Sequence, residues 1–217
     1  MHQSWYADDA SAIGTLEDLH LLFDALVDIG PSFGYLPNGS KSTVIVSCDG
    51  VTRADYYFNS VHDRKFKVEI GSHHLGGFVG DETLRDEYVS SKVRDWVYGV
   101  ERLAMVATKN QPHAAFTGFT KSLQHEWTFI QRVISGIGHL FQDLESKIRT
   151  KLLPALLDET AINDTILDLI ALPVRFSGMG VPDPTTTSAQ NFEQSQVSCS
   201  MFLLSVQGKL PFLLANH

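Results

Sequence analysis

The stretch Trp5-Tyr6-Ala7-Asp8-Asp9-Ala10 places two adjacent carboxylates between short apolar segments. We expect strands at residues 3–7 and 10–13, joined by a tight turn that carries Asp8 and Asp9. Neighbouring residues of one strand point to opposite faces, so only a turn brings both carboxylates to one spot. Two anions held side by side repel each other and lose hydration, which is typical of a site for a hard cation such as Mg²⁺. The alternative is an Asp-Asp turn that only ends a strand.

Composition favours a folded protein of one or two domains. The chain has 217 residues, of which 43% are hydrophobic and 19% charged. No apolar run is long enough to cross a membrane, and no signal pattern opens the chain. With only Cys48 and Cys199, far apart, we expect an intracellular protein, cytoplasmic or nuclear. The net charge of −8 argues against strong nucleic-acid binding by the chain as a whole, but it is compatible with a local basic groove.

The residues after the turn predict a helix, a polar loop and a strand. Thr15 is a good N-cap for a helix over residues 15–29, and Gly30-Pro31 ends it. Asn38-Gly39-Ser40-Lys41-Ser42 is a polar turn that leads into an apolar strand at 43–47. The next predicted strands are residues 65–70 and 73–79, with Gly71-Ser72 as the hairpin turn between them.

Three of these motifs together resemble the reverse transcriptases of retroelements. Tyr6-Ala7-Asp8-Asp9 resembles their YxDD box in its YADD form, which a helix and an Asn-x-x-Lys loop follow. Here Gly34, Asn38, Lys41 and Ser42 stand in that order. The resemblance depends on the collinear order of the motifs rather than on any one of them.

The third motif is Leu75-Gly76-Gly77, which is similar to the primer-grip hairpin of these enzymes. The resemblance implies that Asp8 and Asp9 are catalytic and bind Mg²⁺ or Mn²⁺, and that Lys41 protonates the departing pyrophosphate. It implies primer–template contacts for Tyr6, Leu75, Gly76 and Gly77. A solvent-facing lysine and a bulged edge strand with nothing bound are the structural alternatives.

From residue 82 the apolar period changes from 2 to 3.6. We expect an all-helical module over 82–172, with its aromatic stripes as the core, and a loop and helical tail over 173–217. By resemblance the module is the thumb, which packs beside the product duplex. Its basic residues favour a solvated helix face over phosphate contacts; they are Lys147, Arg149 and Lys151, with Lys121 and Arg132 as possible neighbours.

The expected architecture is α+β: residues 1–81 form a partial palm with a small, partly antiparallel sheet, and a thumb-like helical bundle follows. The family carries a third catalytic Asp upstream and separate fingers, but only seven residues precede Asp8. We therefore expect the chain to be inactive alone, or active only with the missing palm and fingers supplied in trans. Two other classes remain open. One is a non-catalytic helical interaction protein derived from a retroelement, and the other is a metal-dependent nuclease with Asp49 as an extra ligand.

Overall fold

A computed structural model describes residues 1–6, 9–60 and 65–209 of the chain. They form an α+β protein in which helices predominate and all strands are short. The chain divides into two compact units. The N-terminal unit comprises Met1–His73 and Val79–Arg85, and the helical unit comprises His74–Phe78 and Asp86–His217.

The helices and strands follow the order expected from the hydrophobic pattern. The first part of the chain contains β1 (His2–Tyr6), β2 (Asp9–Ile13), α1 (Leu16–Ile29), β3 (Thr43–Ile45), α2 (Val51–Asp55), β4 (Lys67–Glu69), β5 (Gly71–His74) and β6 (Gly77–Gly80). The second contains α3 (Glu82–Thr108), α4 (Pro112–Gly118), α5 (Gln124–Val133), α6 (Gln142–Lys147), α7 (Leu153–Leu157), α8 (Asp164–Ala171) and α9 (Pro184–Val206). Single π-helical turns join α4 to α5 and α6 to α7.

The described strands form three separate two-stranded ladders, so the prediction of one small sheet was wrong. β1 and β2 are antiparallel, whereas β3 and β4 pair in parallel with Thr43 opposite Lys67. The long connection through α2 makes the parallel pairing possible, because parallel strands need a crossover. Three-residue strands such as β3 and β4 offer little edge for further partners.

The β5–β6 hairpin turns at Leu75-Gly76, and not at Gly71-Ser72 as the sequence predicted. Leu75 has φ 48° and Gly76 has φ 79°, and two successive positive φ values fit the type I′ turn that matches strand twist. Gly71 serves close packing instead. A Cβ on Gly80 would lie 2.4 Å from the Gly71 Cα, so the two strand ends approach more closely than side chains allow.

Helix α1 begins and ends where the sequence predicted. The Thr15 hydroxyl accepts a hydrogen bond from the Asp18 amide at 3.2 Å, and Gly30 follows the last helical residue. Its apolar face is only half-buried, through Leu16, Leu19 and Phe23. These side chains cover a small core of four buried residues: Val44, Ala54, Phe58 and Phe66.

The helical unit has the larger core, and the aromatic stripes lie inside it as predicted. Trp96 stacks on Phe141 with 6.1 Å between ring centroids and 9° between planes, and Trp127 lies 6.1 Å from Trp96. The Trp96 indole N–H donates to Glu126 at 2.9 Å, which satisfies its polar atom. The remaining large buried side chains of this core include Val89, Val100, Phe119, Ile130, Ile137, Leu144, Ile148 and Leu152.

Helix α9 lies within the segment predicted as a loop and helical tail, and it begins at Pro184. Asp183 is its N-cap and accepts from the Thr185 amide at 2.7 Å, with Pro184 at the first helical position. The described residues include no helix long and apolar enough to span a bilayer.

Candidate functional site

The predicted carboxylate turn lies at one end of the β1–β2 ladder. Tyr6 is opposite Asp9 in the register, so Asp9 is the first residue of β2 rather than a turn residue. Its side chain is exposed and available to a ligand. Asp8 and the Tyr6 side chain, to which the sequence assigned metal and primer contacts, lie outside the described residues.

Within residues 1–6, 9–60 and 65–209, no three His, Cys, Asp or Glu side chains converge as a cation site would require. Asp49, the extra ligand considered for a nuclease, has a local explanation. Hydrogen bonds from the Ser47 side chain and from its own backbone amide lower the pKa of its exposed carboxyl group.

The predicted loop around Lys41 is a compact turn that its own side chains hold. The Asn38 carboxamide oxygen accepts from the Ser40 amide at 3.0 Å and from the Ser40 hydroxyl at 2.8 Å. The Ser42 hydroxyl donates to the Asn38 carbonyl at 2.8 Å. Asn38 therefore shapes the turn, and Lys41 ends it with an exposed ammonium group just before β3.

The tip of the β5–β6 hairpin packs on α5. A Cβ on Gly76 would lie 2.6 Å from Cε1 of Phe129, and one on Gly77 would lie 3.6 Å from Val133. The space that the missing Gly76 side chain leaves is thus filled by an aromatic ring of the same unit. Packing against Phe129 therefore explains why position 76 is a glycine. Leu75 is two-thirds exposed, so its side chain is the part of the hairpin tip that a ligand could contact.

The basic cluster after α6 is largely neutralised. Lys147 pairs with Glu101 at 2.7 Å, and Arg149 pairs with Asp164. Lys121 and Arg132, by contrast, have no carboxylate within ion-pair distance among the residues that the structure describes. Lys151 of the same cluster is also exposed and has no ion pair among the described residues, so exposed cations remain both around α5 and in the cluster.

Two polar features of the helical unit escaped the sequence analysis. Gln131 is fully buried, donates to the Pro184 carbonyl at 2.8 Å and accepts from Asn191 at 2.7 Å. Burial, and then repulsion from Asp183, raise the pKa of Glu145 to about 7, while Arg149 opposes the shift. Only a polar residue that interrupts an apolar stripe, as Gln131 does, gives any signal of this in the sequence.

Comparison with protein-family models finds no match, and neither the curated proteins nor the solved structures give a significant one.

Proposed function

We propose that this chain is the C-terminal palm and thumb portion of a retroelement reverse transcriptase. The observation that carries the proposal is the β1–β2 ladder that ends with Tyr6 opposite Asp9. Only Ala7 and Asp8 connect these residues in sequence. The adjacent carboxylates of Asp8 and Asp9 would supply the oxygen donors that a cation site requires.

The order of elements after the hairpin also supports the proposal. A Thr15-capped helix comes next, followed by the Lys41 turn with its strand, a tight Leu75-Gly76 hairpin and a helical bundle. This is the collinear order that the resemblance implies.

In the proposed chemistry, a primer 3′-oxygen attacks the α-phosphorus of a nucleotide and the bond to pyrophosphate breaks. Asp8 and Asp9 would hold Mg²⁺ or Mn²⁺, which supplies charge stabilisation to the attacking and leaving oxygens. The exposed Asp9 carboxylate fits this role, because hard cations prefer such oxygen donors. Lys41 would give its proton to the departing pyrophosphate, which neutralises the charge that develops there.

Two carboxylates are too few for a two-metal site, so the proposal includes further ligands from palm residues outside this sequence. Such a palm, in a longer chain or in trans, would also cover apolar surface. The N-terminal unit exposes several large apolar side chains: Ile13 at 77%, Leu21 at 64%, Phe33 at 82% and Leu36 at 76%. These side chains are the apolar groups of this unit that such a palm would cover.

Nucleic acid would meet the helical unit at α5. Lys121, His125, Phe129 and Arg132 are all exposed on or just before this helix. Cations of this kind neutralise phosphates, and an exposed ring can stack on a base. The nearby Glu126 carboxylate is engaged by the Trp96 indole.

The second candidate is a non-catalytic helical interaction protein. The ion pairs of Lys147 and Arg149 favour it, because they engage two of the cations that a thumb would use on phosphates, as expected for a solvated helix face. So does the net charge of −8.

Metal binding separates the two candidates. Mn²⁺ titrations by calorimetry and by paramagnetic broadening should detect weak binding to the wild type, and Asp8→Asn/Asp9→Asn should abolish it. Asp28→Asn removes an exposed carboxylate of the same unit and is the matched control. Equal binding by all three proteins would refute the preserved cation site and leave the interaction protein.

A positive result leads to a second experiment with primer–template. The palm and fingers of a related polymerase are added in trans, and primer extension is measured with wild type, Asp8→Asn/Asp9→Asn and Lys41→Ala. The proposal predicts extension by the wild type alone at full rate, loss in the aspartate variant, and a reduction of about 10²-fold for Lys41→Ala.

A further inference from the structure

Helix α3 carries an exposed stripe in which cations alternate with large apolar side chains. Arg94, Tyr98, Arg102 and Met105 follow one another three or four positions apart, and Lys109 comes directly after the helix. At about 100° per residue, these positions fall within about 80° of arc, roughly opposite the buried side of the helix. Tyr98 is 62% exposed and Met105 56%. We call these five residues the α3 stripe.

The cations of the α3 stripe have no acidic partner of their own. Arg94, Arg102 and Lys109 are exposed, and no carboxylate lies within ion-pair distance of them in the part of the chain that the structure describes. Glu101, at one border of the stripe, is engaged by Lys147 at 2.7 Å. The stripe is therefore a local region of positive charge on a chain whose net charge is −8.

The spacing and composition of the stripe favour a helix as its partner. Positions 98, 102, 105 and 109 repeat at intervals of four, three and four, which is the spacing of the contact seam between paired helices. Aromatic residues, Met and Arg are enriched in protein interfaces, and Tyr and Arg contribute most often to their binding energy. The Arg102 guanidinium lies over the Tyr98 ring, with 5.8 Å from Cζ to the ring centroid, so the centre of the stripe is already ordered.

We propose that the α3 stripe binds an acidic amphipathic helix of another protein. Apolar side chains of that helix cover Tyr98 and Met105, and its carboxylates pair with Arg94, Arg102 and Lys109. The inference goes beyond the proposed function and does not depend on it.

The density of charge favours such a helix over nucleic acid. The stripe presents three cations along about 22 Å of helix, whereas duplex DNA carries about one negative charge per 1.7 Å. The net charge of −8 also repels a polyanion more strongly than it repels a short segment with a few carboxylates. Helix pairs of this length bury less than about 1,200 Å², so we expect a transient complex with a dissociation constant of tens of micromolar.

Fluorescence anisotropy with two synthetic peptides tests the proposal on the full chain. Each labelled peptide is about three heptads long with Leu at a and d; one has Glu at e and g, and the other has Lys there. The wild type should bind the Glu peptide at least about tenfold more tightly than the Lys peptide, although its net charge of −8 favours the reverse. Binding should weaken as the salt concentration rises.

Charge reversal at the centre of the stripe should reverse this preference. Arg102→Glu should weaken binding of the Glu peptide about tenfold and strengthen binding of the Lys peptide. Lys92→Glu makes the same change at an exposed position of α3 outside the stripe and should leave both affinities unchanged. Tyr98→Ala should weaken binding but keep its salt dependence, because it removes apolar contact only. Circular dichroism checks that each variant is folded.

A wild type that prefers the Lys peptide, or binds neither, would overturn the proposal. Equal losses in Arg102→Glu and Lys92→Glu would also overturn it, because binding would then follow net charge rather than the stripe. Labelled oligothymidylate and phosphatidylserine vesicles are measured beside the peptides. If Arg102→Glu abolished binding to either of them while the Glu peptide did not bind, the occupant would be nucleic acid or lipid, and the proposal would be wrong.

Discussion

Glu145 should make the stability of the helical unit fall as the pH rises from about 4.5 towards neutrality. Its side chain is half-buried in α6, where burial and the carboxylate of Asp183 raise its pKa from the ordinary 4.5 to about 7. The folded state therefore keeps a proton that the unfolded chain releases near pH 4.5. The free energy of unfolding should decrease between about pH 4.5 and pH 7 and become level above that range.

The structure sets the magnitude of this effect. A shift of this size corresponds to about 3 kcal/mol for a fully buried group, and solvent screening of the half-buried Glu145 reduces it to about 1–1.5 kcal/mol. Glu145→Gln removes the charge and keeps the shape. The Glu145→Gln variant should therefore have a free energy of unfolding about 1–1.5 kcal/mol higher than the wild type at pH 8, and the same free energy of unfolding as the wild type at pH 4.5.

Urea denaturation followed by fluorescence is the assay, because the buried Trp96 and Trp127 both report on the helical unit. We expect the midpoint of Glu145→Gln to exceed that of the wild type by about 0.5 M at pH 8. Glu87→Gln, at an exposed position of α3, is the control and should change nothing. A Glu145→Gln protein no more stable than the wild type at pH 8, or one stabilised equally at both pH values, would refute the reasoning.

Three further substitutions test the contacts that hold each unit. Gln131→Leu removes the hydrogen bonds that this side chain makes to the buried Pro184 carbonyl and from the part-buried Asn191 amide, and it should lower the free energy of unfolding by about 2–3 kcal/mol, measured by the same denaturation. Gly76→Ala should lower the free energy of unfolding by about 1–3 kcal/mol, because φ is 79° and the new Cβ clashes with the Phe129 ring. Adding Phe129→Ala removes the clash but not the strained φ, so the double variant should recover only the part of the loss that the clash causes. Thr15→Ala should lower the stability of the N-terminal unit by about 1 kcal/mol, seen by thermal circular dichroism.

Each of these has a matched control. Gly34 has φ 77° and no atom near the position of a Cβ. Gly34→Ala therefore measures the loss of stability caused by a positive φ at alanine alone, without a steric clash. If Gly76→Ala lowered the free energy of unfolding no more than Gly34→Ala does, the steric contact with Phe129 would be contradicted. Thr15→Ser should keep the cap, and equal loss in both Thr15 variants would point to the methyl group instead. Asn191→Ala removes only one of the two hydrogen bonds of Gln131, so it should lower the free energy of unfolding less than Gln131→Leu does.

The features that depend on neighbours along the chain could be predicted from the sequence. The Thr15 cap, the end of α1 at Gly30 and the apolar stripes of the helical unit follow from capping chemistry and a 3.6-residue period. Antiparallel pairing of β1 with β2 followed from two short segments around a tight turn. These interactions span few residues, so local pattern is enough to predict them.

Contacts between residues far apart in the chain depend on packing and could not be predicted from the sequence. Lys147 is neutralised by Glu101, 46 positions away, and the gap at Gly76 is filled by Phe129 from another element. The parallel pairing of β3 with β4 and the raised pKa of Glu145 likewise depend on partners that no local pattern marks. Such effects arise from burial and from charges brought together by packing, and packing is a property of the folded chain rather than of any one segment.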